Sequence, residues 1–216
     1  MLNAGVAGYS SYQGRLRFLQ EVGVYEPDLI LVSFGWNDLA VTTGKPDKAF
    51  TPPPAPWVTV ERILLKYQFY LCLRHYVSLL FPAPPPPSRP IHRVSLLDDI
   101  RNMEGFLKTA PKHHARVVFL TRPHKPSIDL MRKFPKGLND VPKYNKALLL
   151  FCKTEHAAVI DVREYFHKNH PDLFNDACHF KPEGHRVMAD MLYRELSALG
   201  YLGKEGEAGD PDGKQH

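Results

Sequence analysis

The chain alternates short, wholly apolar runs with longer amphipathic ones. Residues 28–34 (DLILVSF), 115–121 (ARVVFLT) and 157–162 (AAVIDV) are brief, rich in β-branched residues and apolar at odd and even positions alike. That pattern predicts strands covered on both faces in a parallel sheet. Between and after them, hydrophobic residues recur at helical spacing. Residues 12–22 carry Leu16, Leu19 and Val22, and residues 97–109 carry Ile100, Met103 and Leu107. Residues 141–154 carry Tyr144, Leu148 and Phe151, and residues 182–199 carry Val187, Met191 and Leu192 behind Pro182, which suits a first helical turn. Met1 and Leu2 read as the tail of a strand. Asn3, Gly5 and Gly8 then read as a Gly-rich crossover, with Ser10 or Ser11 opening the first helix as an N-cap. Strand alternating with helix predicts an α/β fold on a parallel sheet.

One region breaks the rhythm. Residues 41–93 hold proline clusters at both ends, TPPPAPW and PAPPPPSRP, around the apolar segment 63–81. Proline runs favour extended polyproline II over helix or strand. The region reads as an insertion after a core strand and a candidate lid or substrate wall, with Trp57, Tyr67, Phe69 and Tyr70 as apolar contributors. Segment 63–81 is long enough to span a bilayer, but Lys66, Arg74 and His75 interrupt it. An amphipathic helix packed on the domain is expected, with contact at a membrane surface as the alternative. Residues 1–202 then form one domain, and the polar, Gly-rich residues 203–216 a disordered tail.

Composition narrows the function classes. The chain has 216 residues, 44% of them hydrophobic, and a formal net charge of +5. Lys and Arg are interspersed with acids, so no nucleic-acid partner is expected. Three cysteines, Cys72, Cys152 and Cys178, are odd in number and lack any CxxC spacing, which predicts neither a disulfide framework nor a metal site.

Two stretches carry candidate chemistry. FGWNDLA follows the strongest strand, and ligands of open α/β sheets bind beyond the carboxyl ends of strands. Asn37 there offers an uncharged donor to a developing negative charge, although Gly, Asn and Asp also make ordinary turns. In NDACHFKPEGH, Asp176 and His179 sit three apart ahead of the last helix. A carboxylate at that spacing can fix the imidazole tautomer and stabilise the imidazolium formed when His acts as a base. His185 is expected to pack or cap within the helix. Arg122, at the end of a strand, and Arg93, after the insertion, are candidates for steering an anionic substrate group, against the alternative of surface salt bridges.

With these residues together, the chain resembles the SGNH (GDSL-like) hydrolases, serine esterases and lipases. NAGVAGYSSYQG is similar to their second block, GWND to the third and DACHFKPEGH to the fifth. The resemblance implies a flavodoxin-like three-layer α/β/α sandwich and hydrolysis of carboxylic esters through an acyl-enzyme. Gly8 and Asn37 would form the oxyanion hole, with Asp176 and His179 as acid and base. It implies a small-molecule or carbohydrate ester as substrate, and no cofactor. Two other readings stay open: a non-catalytic relative that binds an acyl or carbohydrate ligand, and an O-acyltransferase or deacetylase acting on a polysaccharide.

The family's first block, a strand ending in Gly-Asp-Ser, has no counterpart here, because no GDS occurs in the chain. Ser10 and Ser11 are expected to start the helix and Ser33 to lie buried in its strand. Cys178 is expected to point away from its neighbour His179. The expectation is therefore a fold without its first strand, inactive as it stands, with the nucleophile encoded upstream of Met1.

Overall fold

The computed structural model describes residues 1–42, 44–50, 60, 63–81, 91–126 and 140–202. The proline-rich stretches 51–57 and 82–90, Trp57 among them, and the tail 203–216 lie outside the described residues.

Three parallel strands form the sheet, in the order β1 (Leu29–Val32), β4 (Arg116–Leu120), β5 (Ala158–Ile160). Leu29 pairs with Arg116 and Val32 with Phe119, and Val118 to Leu120 continue the register onto Ala158 to Ile160. The central strand shows why its run is apolar throughout. Val117 and Phe119 face a core with Phe18, Met103, Phe106, Leu148 and Cys152, while Val118 and Leu120 face another with Ile160, Phe166, Phe174 and Met191. Each large side chain so buried contributes about 1.5–3 kcal/mol.

Helices supply the outer layers. On the first side lie α1 (Ser11–Arg17), α3 (Leu96–Thr109) and α4 (Val141–Thr154). The second holds α5 (Val162–Asn169) and α6 (Pro182–Ala198). The architecture is the α/β fold on a parallel sheet expected from the strand and helix pattern, with helices on both sides as the family resemblance implied. Ser10 caps α1 in a capping box with Gln13, and Ser95 caps α3 through the Asp98 N–H. A two-stranded antiparallel ribbon, β2 (Val41–Thr42) with β3 (Ile91–His92), pairs the two ends of segment 41–93.

Several local expectations need correction. Met1 and Leu2 join no strand and are exposed. Helix α1 continues as a π turn over Phe18–Val22, where Gly23 donates to the Phe18 carbonyl. Phe18, two turns on from the buried Ser11 and on the same helical face, is buried, and Leu19 is exposed. The buried face of α3 holds Asp99, Asn102, Met103 and Phe106, one position round from the expected stripe. Residues 161–162, read as strand, instead cap and begin α5, because the Asp161 carboxylate accepts from the Glu164 N–H.

The largest departure is α2 (Gln68–Leu80), the helix of the insertion, expected to pack on the domain. None of its side chains is buried. Other helices cover both faces of the central strand β4, while Leu31 of β1 stays 41% exposed.

Candidate active site

Among the candidate residues, Asn37 and Arg122 follow β1 and β4, Gly8 precedes α1, and Asp176 and His179 precede α6. In the turn before α6, Asp176 Oδ1 accepts the N–H groups of Cys178, at 2.9 Å, and His179, at 2.8 Å. Its Oδ2 lies 2.7 Å from His179 Nδ1. One carboxylate oxygen thus shapes the turn while the other orients the ring. Burial pushes the Asp176 carboxyl up, but the two N–H groups and the facing imidazole outweigh it and hold it down to about 2. An anion beside Nδ1 favours the neutral tautomer with its proton there, which leaves the ring's lone pair on Nε2. The His179 side chain is 76% exposed.

Cys178 does not point away from its neighbour: its Sγ lies 3.6 Å from His179 Nδ1. Burial, with Asp176 adding to it, pushes this thiol up to about 11, so it is protonated at neutral pH and a poor nucleophile. Asp176, Cys178 and His179 bring three donor atoms within 4.8 Å of one another, a set that could hold a divalent cation. His185 lies within α6, its ring edge against Phe180.

The second group lies at the start of α1. Gly8 has φ +81°, a left-handed conformation suited to glycine, and the space where a Cβ would sit is open. Arg93 Nη1 donates to the Gly8 carbonyl, and the rest of its guanidinium holds Asp47 and Gln13. Asn37 donates from Nδ2 to the Tyr9 carbonyl at 3.1 Å. This leaves the second amide hydrogen of Asn37 beside the Gly8–Tyr9 turn. Among the described residues no acceptor faces the Gly8 N–H. Arg93, a candidate substrate ligand by sequence, is here a strut for the turn.

Beneath these groups lies a buried polar network that sequence reading missed. The Ser11 N–H and hydroxyl both donate to the Asp38 carboxylate, and Asn102 donates to Ser11 Oγ at 2.9 Å. Arg122 Nη2 grips both oxygens of Asp99, at 2.9 and 2.8 Å, with Arg122 and Asp99 at 1% and 0% exposure. The Arg122 backbone is clamped by Asn145 through its N–H and its carbonyl. Burial pushes the carboxyls of Asp38 and Asp99 up, Asp99 to about 6, while the shared Arg122 pulls both back. The expectation that Arg122 meets an anionic substrate fails, because its guanidinium is sealed under the Gly35 turn and over the Tyr144 ring. The signal was present in α3: Asp99 and Asn102 fall on the apolar stripe with Met103 and Phe106, where polar side chains persist only with partners.

The other serines read by sequence are placed as follows. Ser10 and Ser11 are fully buried and committed to Asp47 and Asp38. Ser33 lies just past the end of β1 and is exposed, not buried. Among the described residues no serine is hydrogen-bonded to His179.

The segment after β4 joins the two groups. Trp36 Nε1 donates to the Pro123 carbonyl, and the Lys125 N–H donates to the Ala177 carbonyl. Burial pushes the imidazole of His124 down to about 4, and His167, whose Nε2 sits 2.7 Å from the His124 carbonyl, acts in the same direction. His124 is therefore a neutral packing element under Trp36 at physiological pH.

The sequence profile described as GDSL-like Lipase/Acylhydrolase family matches residues 1–187. No curated protein matches the chain significantly. Among solved structures, the chain is similar to the lipase/acylhydrolase from Enterococcus faecalis, with a TM-score of 0.58, 16% identity, and coverage of 92% of this chain and 75% of that one. A GDSL-like lipase from Bacteroides thetaiotaomicron gives a TM-score of 0.56 at 15% identity, over 90% of this chain and 74% of that one. Axe2, an acetylxylan esterase from Geobacillus stearothermophilus, gives 0.54 at 14% identity, over 90% and 71%. At such identities these likenesses speak for the fold.

Proposed function

Because the chain belongs to the GDSL-like lipase/acylhydrolase family, we propose that its Asp176–His179 pair drives hydrolysis of carboxylic esters. The carrying observation is the 2.7 Å contact between Asp176 Oδ2 and His179 Nδ1, made by a carboxylate whose other oxygen is anchored by backbone N–H groups. His179 Nε2 takes the proton from a serine hydroxyl as its oxygen attacks the acyl carbon. The Gly8 N–H and the free Asn37 amide hydrogen receive the negative charge that develops on the carbonyl oxygen. The alcohol leaves with the proton held on Nε2. Water, deprotonated by the same nitrogen, then releases the acid. Among the described residues no serine is hydrogen-bonded to His179.

The substrate class proposed is a short acyl group, such as acetyl, on a small alcohol or a carbohydrate. The exposed imidazole supports this, since an open site admits a bulky alcohol portion, and one structural relative is an acetylxylan esterase. The test uses the protein from its full open reading frame, with acetate release from acetylated xylo-oligosaccharides and from 4-nitrophenyl acetate as readouts. Asp176→Asn is expected to lower kcat by about 10³–10⁴ through loss of the correct tautomer. Asn37→Ala is expected to lower it by about 10²–10³. A wild-type rate that Asp176→Asn leaves within twofold would sink the proposal. Because no serine faces His179 among the described residues, binding without turnover is the second reading. It stands if the esters bind and no acetate is released.

A further inference from the structure

Helix α2 poses a question that ester chemistry does not answer. Of residues 63–81 only Tyr70 is half-buried, and every other residue of the segment is exposed. On the helix, Phe69, Leu73, Tyr76, Val77 and Leu80 follow one another at steps of four, three, one and three, so they share one face. Their exposures are 79%, 49%, 65%, 44% and 76%. Gln68, Arg74, His75 and Ser78 lie on the other side. An apolar stripe of this size, bare to water, needs a partner.

The sequence says what charge that partner carries. Residues 62–97 contain five Lys and Arg and no Asp or Glu, so the remaining 180 residues hold 23 of each sign. The interspersed charge expected from the whole chain describes only that remainder, and the entire +5 excess resides in the segment that bears α2. Two copies of α2 meeting face to face would bring like charges together. An anionic surface with an apolar interior satisfies both the stripe and the charge.

Geometry separates lying on such a surface from crossing it. Thirteen helical residues extend about 20 Å, against a hydrocarbon thickness of about 30 Å. Among the described residues no helix is long and apolar enough to cross a membrane. Tyr67 and Phe81 flank the helix at its two ends, and both are exposed. Aromatic rings are favoured at the boundary between headgroups and acyl chains.

We propose that α2 docks the protein on an anionic phospholipid bilayer, lying in the plane of the interface with the Phe69–Leu73–Tyr76–Leu80 face in the acyl region. The net positive charge of the sequence segment that bears it supplies the electrostatic attraction, and the apolar face the retention. This reading is independent of the ester chemistry, since it uses no residue of the Asp176–His179 turn.

The experiment is co-sedimentation of the full-length protein with vesicles of phosphatidylcholine containing phosphatidylglycerol, and with vesicles of phosphatidylcholine alone. The variant is Phe69→Ser/Leu73→Ser/Leu80→Ser, which touches no buried position, and circular dichroism verifies that it folds. The expected result is binding to the anionic vesicles at least ten-fold tighter than to the neutral ones, weakened at least ten-fold by the triple substitution. Equal binding of wild type and variant, or no binding to either vesicle, overturns the proposal. So does sedimentation-velocity evidence that the triple substitution abolishes a dimer while vesicles recruit no protein.

Discussion

Gly35→Ala is expected to abolish cooperative folding. Gly35 has φ +130°, a conformation that L side chains rarely adopt, and a Cβ there would overlap the Nε and Cδ of Arg122. The usual escape, rotation of a flexible side chain, is closed. Arg122 is 1% exposed, gripped by Asp99 at its tip and clamped by Asn145 at its backbone. Overpacking and backbone strain act at one atom, and together they exceed about 4 kcal/mol. That is comparable with the roughly 5–15 kcal/mol that holds a whole domain. A urea titration followed by circular dichroism reads the outcome. A midpoint within a few tenths molar of wild type would show that the turn after β1 is not built around the absence of a side chain.

Arg122→Met is expected to be nearly as damaging at neutral pH, for a different reason. The substitution keeps the volume but leaves Asp38 and Asp99 buried without the cation that pulls both carboxyls back. Removing one partner of a buried ion pair costs about 3–5 kcal/mol. The pH dependence identifies the cause. Burial already raises both carboxyls above their unfolded values, and losing Arg122 raises them further. A raised folded pKa favours the folded state below the unfolded pKa near 4, and that contribution is lost as pH rises through the folded value, which is about 6 for Asp99 even with Arg122 present. The deficit should therefore be smaller at pH 5 than at pH 7. Pairing the change with Asp99→Leu should recover part of it, because two apolar groups leave no uncompensated charge between them. A deficit that does not vary with pH would assign it to packing instead.

These two positions also show what the sequence could and could not say. The layers were legible because strands covered on both faces must be apolar at every position, as in RVVFL of β4, and such runs resemble little else. The Asp176–His179 pair was legible because three residues of one turn carry the entire geometry. Arg122 was misread because its meaning depends on Asp99, 23 residues away, and on the missing Cβ of Gly35. Neither contact leaves a periodic trace. Helix α2 was misread for the opposite reason. Its amphipathic spacing was plain, but periodicity tells which face is apolar and not what covers it. On the first helix, likewise, spacing placed the stripe on Leu19, one residue away from the buried Phe18.

The central claim is that His179, oriented by Asp176, activates a hydroxyl. Its most direct test is labelling by a fluorophosphonate probe, which forms a covalent bond only with an activated nucleophile. The protein is expressed from its full open reading frame, as wild type and as His179→Ala, and the labelled residue is located by peptide mass spectrometry. The account predicts one labelled serine in the wild type and loss of labelling in His179→Ala, with both proteins folded. Labelling that persists without His179, or no labelling of the wild type at all, would contradict it.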